Sequence, residues 1–196
     1  MSSTKHHSTF IGRLSSIVLL AISAISFGDS TSGQDAAAVS LQNGTWEHVQ
    51  AIVRKNQGKV VVVDIWSTSC LPCMKEFPKL VALQKQSPSE IVCISFNVDY
   101  IGIKSKPVDT YRAPVEKFLK KNSATFTNIL STTESDEIFA SLDLASIPAV
   151  YVYGRDGKLA KRFDDSLFSD GEEEAFTYED DINPFVNALL KASANE

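Results

Sequence analysis

The alternation of hydrophobic and polar positions predicts strands and helices that follow one another along most of the chain. Apolar runs rich in β-branched residues predict strands buried on both faces of a sheet at 60–66 and 91–98. A shorter run at 126–130 predicts a third strand, and the turn residues at 154–157 predict a hairpin between two more. Such a sheet needs helices to cover its faces.

Apolar residues at helical spacing predict the covering helices. Thr45 is a candidate N-cap for the first helix, and Asn183-Pro184 begins the last. Between these two, the spacing predicts three further helices, over residues 71–86, 111–122 and 135–142. The order of strands and helices is typical of an α/β protein.

The junction between the strand at 60–66 and the helix after it carries the candidate chemistry. Cys70 stands where the strand ends, Pro72 suits a first helical turn, and Cys73 lies one turn inside the helix. The unpaired N–H groups and partial positive charge of a helix N-terminus favour a thiolate at Cys70. The Cys-x-x-Cys spacing lets the two sulfurs form and release a disulfide, with Cys70 as the nucleophile and Cys73 as the resolving thiol.

Two other interpretations of the cysteine pair are a static disulfide and half of a zinc site. A zinc site needs two more ligands, and the chain offers only Cys93 and three histidines, two of which lie near the N-terminus. We therefore predict no metal site and no cofactor. Cys93 itself is interpreted as a buried core residue, with a redox partner for the pair as the alternative.

The segment around the two cysteines resembles the active-site segment of the thioredoxin superfamily, and within it that of the TlpA/ResA-like extracytoplasmic thiol–disulfide oxidoreductases. The residues that carry the resemblance are Asp64, Trp66, Cys70, Pro72, Cys73, Glu76 and Pro78, together with Ile147-Pro148 and the hairpin after them. The likeness spans most of residues 40–163 and the final helix. Ser69 departs from it, because thioredoxins usually carry an aromatic residue there.

The resemblance implies a three-layer α/β/α thioredoxin-like fold, with a central helix-strand insert at 111–122 and 126–130. It also implies that Pro148 is a cis proline packed against the cysteines, and that Ile147 offers backbone hydrogen bonds to an extended substrate peptide. Trp66 joins Ile147 as a substrate-binding residue by the same resemblance.

The resemblance gives roles to two acidic residues. Asp64 relays a proton to or from Cys73, and Glu76 tunes the pKa values of the cysteines. Burial in the strand would raise the pKa of Asp64, because a charged carboxylate is costly there. The alternatives are an exposed strand end for Asp64 and a solvated helix charge for Glu76.

The function that the resemblance implies is thiol–disulfide exchange that reduces disulfides of exported proteins, in some members during cytochrome c maturation, with a membrane thiol carrier as electron donor. A competing enzyme hypothesis is a thiol peroxidase, which needs one peroxidatic cysteine in a pocket with threonine and arginine. Two further hypotheses are a non-catalytic peptide-binding module at Ile147-Pro148 and a copper-delivery protein, which needs a Cys-x-x-x-Cys pair and a histidine after it.

The first 28 residues have the composition of a secretory signal, with Lys5 and Arg13 before an apolar run at 14–27 and Gly28 after it. An uncleaved membrane anchor through 14–27 is the alternative. Residues 29–40 are predicted to be a flexible spacer before a domain at 41–196. We therefore expect an extracytoplasmic, periplasmic protein, in a compartment where disulfides persist.

Most of the net negative charge is concentrated in the stretch 164–181. From Asp29 onward the chain has 17 basic and 24 acidic residues, and nine of the acidic ones lie at 164–181, which has no lysine or arginine. This pattern predicts a solvated acidic loop, with electrostatic steering of a basic partner as the alternative. The acidic balance and the lack of a basic stripe argue against a nucleic-acid partner.

Overall fold

The computed structural model of this protein describes residues 38–164 and 176–192, all within the second of two units, 1–34 and 35–196. The predicted signal or anchor at 1–28, most of the spacer at 29–40 and the middle of the acidic stretch lie outside the described residues. Those predictions stay predictions.

Within the described residues, six strands form one sheet in the order β1-β4-β3-β2-β5-β6. The first four strands in that order are parallel to one another, whereas β5 and β6 each run antiparallel to their neighbour. The strand bounds are Gln42–Gly44 (β1), Val60–Trp66 (β2), Ile91–Asn97 (β3), Thr127–Ser131 (β4), Ala149–Tyr153 (β5) and Leu159–Phe163 (β6).

Helices cover both faces of the sheet. Their bounds are Trp46–Lys55 (α1), Leu71–Gln86 (α2), Asp109–Lys121 (α3), Ser135–Leu142 (α4) and Asn183–Ala192 (α5). Buried residues of α2, α3 and α5 pack in one hydrophobic cluster, and those of α1 and α4 pack in the other. This arrangement confirms the predicted α/β/α layers, and the inserted strand β4 lies between β1 and β3.

The alternation of side chains along β2 decides what lies beneath α2. Val60, Val62 and Trp66 belong to the cluster that contains Cys73, whereas Val61 and the other odd-numbered residues face the opposite layer. Asp64 is also at an even-numbered position of β2, so its side chain lies on the face of the sheet that α2 covers.

Two features differ from the sequence predictions. Strand β1 was not predicted, because three residues with an exposed Gln42 and Asn43 carry no hydrophobic pattern. Part of the acidic stretch is also more ordered than a solvated loop: Tyr178–Ile182 forms a π-helical turn, whose two end residues are buried while its three acidic residues are exposed.

None of the helices in the described ranges has the length and apolarity needed to cross a bilayer.

Candidate active site

Cys70 and Cys73 stand where the sequence places them, at the start of α2. Cys70 is the N-cap of the helix, and its sulfur accepts a hydrogen bond from the backbone N–H of Cys73 at 3.2 Å. The two cysteines form a disulfide, with their Cα atoms 5.3 Å apart. Cys70 is half-buried and Cys73 is only 2% exposed, so an incoming group reaches Cys70 first.

The Ile147–Pro148 peptide bond is cis, and it brings the loop before β5 next to the disulfide. The carbonyl oxygen of Ile147 lies 3.7 Å from Cys70 Sγ. The backbone of Ile147 is therefore close enough to Cys70 to contact a chain that reacts there.

An open cleft of about 530 Å³ adjoins Cys70. Its lining combines the hydroxyls of Ser67 and Ser69 with apolar side chains such as Ile101 and Phe139. Leu71 also lines the cleft, and it is 74% exposed although it is a large hydrophobic residue. The cleft thus offers an apolar surface beside the more accessible sulfur.

Asp64 is buried beneath α2 with 3% of its surface exposed. Burial raises the pKa of Asp64 to about 7, the charge of Glu76 raises it too, and a hydrogen bond from the Tyr178 hydroxyl lowers it. A carboxyl group that titrates near neutrality can both accept and donate a proton under physiological conditions.

Glu76 is not the solvated helix charge of the alternative interpretation. Its Oε2 accepts the backbone N–H of Tyr178 at 3.1 Å, and its Oε1 pairs with Lys79 Nζ at 3.2 Å. Its side chain is 14% exposed. Glu76 therefore fixes the π-helical turn to α2 and places a negative charge near Asp64.

Trp66 lies in the core and does not reach the cleft beside Cys70. It is fully buried, its indole N–H donates to Ser95 Oγ at 2.8 Å, and its ring packs against Phe77 and Phe118. This burial corrects the expected substrate contact, because a side chain without exposed surface cannot touch a substrate peptide. Its contribution to the site is packing beneath α2.

Cys93 is a core residue on β3, as predicted from its sequence context. It is fully buried, and burial together with the negative charge of Asp64 raises the pKa of its thiol. A buried thiol with a raised pKa is a poor nucleophile.

Two residues of the site are not indicated by the motifs in the sequence. Tyr178, from the acidic stretch, contacts both Asp64 and Glu76. Asp99, just after β3, accepts hydrogen bonds from Thr68 in the turn before Cys70. The parallel pairing of β2 and β3 brings the ends of both strands to one edge of the sheet, which was the available signal for Asp99.

Among residues 38–164 and 176–192, no group of three or more histidine, cysteine, aspartate or glutamate side chains is arranged to hold a metal ion.

The Redoxin family model matches residues 31–176. The thiol-disulfide oxidoreductase ResA of Bacillus subtilis is 25% identical over 129 residues, which are 66% of this chain and 65% of ResA. The sporulation thiol-disulfide oxidoreductase A of the same organism is 24% identical over 106 residues, 54% of this chain and 59% of that protein. This chain thus matches less than two thirds of the length of either relative.

The solved structures show the same fold. The crystal structure of a thioredoxin-family thiol:disulfide interchange protein from Chlorobium tepidum superposes with a TM-score of 0.50 and 18% identity, over 70% of this chain and 83% of that one. The fold is therefore thioredoxin-like. With three quarters of its sequence matched by the family model, the chain belongs to the Redoxin family.

Proposed function

We propose that this protein is an enzyme of thiol–disulfide exchange that reduces disulfides in other proteins. The observation that carries the proposal is the disulfide between a half-buried Cys70 at the helix N-terminus and a buried Cys73 one turn later. The Cys73 N–H that points at Cys70 Sγ stabilises a thiolate there once the pair is reduced. The names of ResA and of the sporulation oxidoreductase support the same chemistry.

In the first step, the Cys70 thiolate attacks one sulfur of the substrate disulfide. A bond forms between Cys70 Sγ and that sulfur, the substrate S–S bond breaks, and the other substrate sulfur leaves as a thiolate. The backbone of Ile147, beside Cys70, and the cis Pro148 support an extended substrate segment at this point. The apolar cleft that includes Leu71 receives the neighbouring side chains.

In the second step, Cys73 attacks Cys70 Sγ and releases the second substrate thiolate. The thiol proton of Cys73 goes to the carboxylate of Asp64, and the enzyme is left with the Cys70–Cys73 disulfide. The substrate has gained two electrons and the cysteine pair has lost two. A carboxyl group that titrates near neutrality suits this transfer, and Glu76 tunes the pair through its charge near Asp64.

A dithiol donor must then reduce the enzyme for another turnover. By family resemblance we assign this role to a membrane thiol carrier, and we place the protein outside the cytoplasm, where exported proteins carry disulfides. The apolar run at 14–27, as a cleaved signal or as a membrane tether, supports this location.

The described lining of the cleft beside Cys70 contains no arginine, which disfavours the thiol peroxidase hypothesis.

The test is to trap the mixed disulfide. A Cys73→Ser variant should accumulate a covalent adduct with an oxidised peptide through Cys70, because the resolving thiol is missing. A Cys93→Ala variant is the matched control, since it removes the buried cysteine and should turn over without an adduct. Absence of the adduct in Cys73→Ser, or its formation in Cys70→Ser, would refute the proposal.

The reduction potential of the Cys70–Cys73 couple tests the direction of exchange. A value of about −270 mV supports a reductant, whereas one of about −120 mV would make the protein an oxidant.

A further inference from the structure

We infer that Tyr178 is a positioning residue for Asp64: its hydroxyl holds one carboxylate oxygen and leaves the other to take the proton of Cys73. The inference rests on the proposed exchange function and deepens it, because it says which contact prepares the base of the second step.

The two oxygens of Asp64 have different surroundings. The Tyr178 hydroxyl donates to Oδ2 at 2.7 Å, whereas Oδ1 is buried and has no hydrogen-bond partner within the described residues. An unpaired carboxylate oxygen inside a protein is costly, so such an atom calls for an explanation. A proton acceptor that must remain available for Cys73 provides one.

The groups that face Asp64 come from several elements. Helix α2 contributes Glu76 and places Cys73 in the cluster on the same face of the sheet. Strand β3 contributes Cys93, and Ser95 lies opposite Asp64, with its hydroxyl accepting the Trp66 indole N–H. On β5 the opposite residue is the apolar Val150. The nearby negative charge of Glu76 disfavours the Asp64 carboxylate, and the Tyr178 hydroxyl is the contact that favours it.

Tyr178 is suited to be a constant donor. Its side chain is 1% exposed, and burial together with the neighbouring Asp64 raises its pKa well above the ordinary value of 10.0. The phenol therefore stays protonated across the pH range in which Asp64 titrates, and it can only donate to the carboxylate.

Contacts of the π-helical turn with α2 and with its own cap hold Tyr178 in place. The backbone N–H of Tyr178 donates to Glu76 Oε2 on α2. Lys79 Nζ lies 3.2 Å from Glu76 Oε1 and 3.9 Å from Glu179 Oε2, so it links α2 to the turn. Thr177 caps the turn: its N–H donates to Asp181 Oδ2 at 2.8 Å, and its Oγ1 accepts the N–H of Asp180 at 3.0 Å. Acidic residues whose sequence pattern predicts a solvated loop thus build the turn that positions Tyr178.

Loss of the hydroxyl should make the Asp64 carboxylate less favourable. In Tyr178→Phe the ring and its packing remain, but the hydrogen bond that offsets burial is gone. We expect the pKa of Asp64 to rise by about 1, because a hydrogen bond to the charged form has been removed. Near pH 7 the ionised fraction of Asp64 would then fall by about fivefold.

The experiment combines two measurements on the full chain. The first follows the titration of Asp64 by carboxyl ¹³C NMR in the oxidised protein, which requires no turnover. The second uses 5,5′-dithiobis(2-nitrobenzoate) on the reduced protein: Cys70 releases one thionitrobenzoate when it forms the mixed disulfide, and Cys73 releases the second. The pH profile of the second release reports the step that uses Asp64.

The matched control is Tyr111→Phe, which removes another buried phenol oxygen, one with no hydrogen-bond partner within the described residues. We expect Tyr178→Phe to raise the Asp64 pKa and to shift the profile of the second release upward by the same amount, while Tyr111→Phe changes neither. In an Asp64→Asn background, Tyr178→Phe should leave the profile unchanged, which a purely structural role of Tyr178 would not produce.

An unchanged Asp64 pKa in Tyr178→Phe would overturn the inference. A raised Asp64 pKa would also overturn it if the pH profile of the second thionitrobenzoate release did not shift. In both cases the exchange function would stand, because wild-type protein still releases both equivalents. A wild-type protein that releases only one equivalent would overturn the exchange function and, with it, the inference.

Discussion

Asp99 holds Thr68 through both of its carboxylate oxygens: Oδ1 accepts the Thr68 N–H at 2.7 Å, and Oδ2 accepts the Thr68 hydroxyl at 2.6 Å. Thr68 lies in the turn between β2 and Cys70, and Asp99 follows β3. The pair therefore fixes the turn that places Cys70 at the start of α2, and Asp99 does so from the end of the neighbouring strand β3.

We expect Asp99→Ala to lower the free energy of unfolding by about 2–3 kcal/mol, because two hydrogen bonds to a charged acceptor are lost. Asp99→Asn keeps one acceptor oxygen and should lose about half as much. Urea denaturation of the oxidised proteins measures both changes. Equal stability of wild type and Asp99→Ala would contradict this role.

The raised pKa of Asp64 makes stability depend on pH in a definite direction. Its folded pKa of about 7 exceeds the ordinary value of 3.8, so the native state binds the proton more tightly than the unfolded chain does. The stabilising contribution of the protonated carboxyl is complete below pH 4 and is lost as the pH rises to about 7.

Asp64→Asn has no such proton, so its stability relative to wild type should increase by about 4 kcal/mol between pH 4 and pH 8. Urea denaturation of the oxidised proteins across this range measures the difference. The control is Asp136→Asn, which changes an exposed carboxyl group in the first turn of α4. A difference that is constant with pH would show that Asp64 has an ordinary pKa.

The burial of Trp66 predicts a loss of stability without a loss of substrate binding. Trp66→Phe leaves a cavity beside Phe77 and removes the donor to Ser95, so we expect about 1–3 kcal/mol of destabilisation. The KM for an oxidised peptide should stay unchanged at temperatures where the variant is folded. A raised KM without destabilisation would restore Trp66 as a substrate-binding residue.

For Leu71 we expect a loss of substrate binding without a loss of stability. Because it is exposed and lines the cleft, Leu71→Ser should change stability by less than about 0.5 kcal/mol and raise the KM for an oxidised peptide by about threefold to tenfold. The reaction of Cys70 with a small disulfide should be unaffected. Leu159→Ser, at an exposed leucine on β6 that does not line the cleft, is the control and should leave the KM at its wild-type value.

The part of the site that depends on adjacent residues is predictable from the sequence. Helix α2 begins at Leu71 and ends at Gln86, as its pattern predicts, because the β-branched strand, the turn and Pro72 act locally. The placement of Cys70 and Cys73 follows directly. Helix α3 begins two residues earlier than predicted, at Asp109, where no strong N-cap residue marks the boundary.

The parts of the site that depend on contacts between residues distant in the sequence could not be predicted. Three acidic residues follow Tyr178 in the sequence, and only the packing of the π-helical turn under α2 shows that its side chain points into the core. For Trp66 the local pattern is enough: the alternation of side chains along β2 places it on the same buried face as Val60 and Val62. This alternation predicts the burial of Trp66, whereas the family resemblance predicts a contact with substrate.

Asp64 and Tyr178 are 114 positions apart in the chain, and this separation has a consequence for the order of folding. A chain that has folded only as far as α4 already carries both cysteines and can close them into a disulfide. It lacks the phenol to which we assign the preparation of the base, so on that assignment full reactivity appears only when Tyr178–Ile182 has packed under α2.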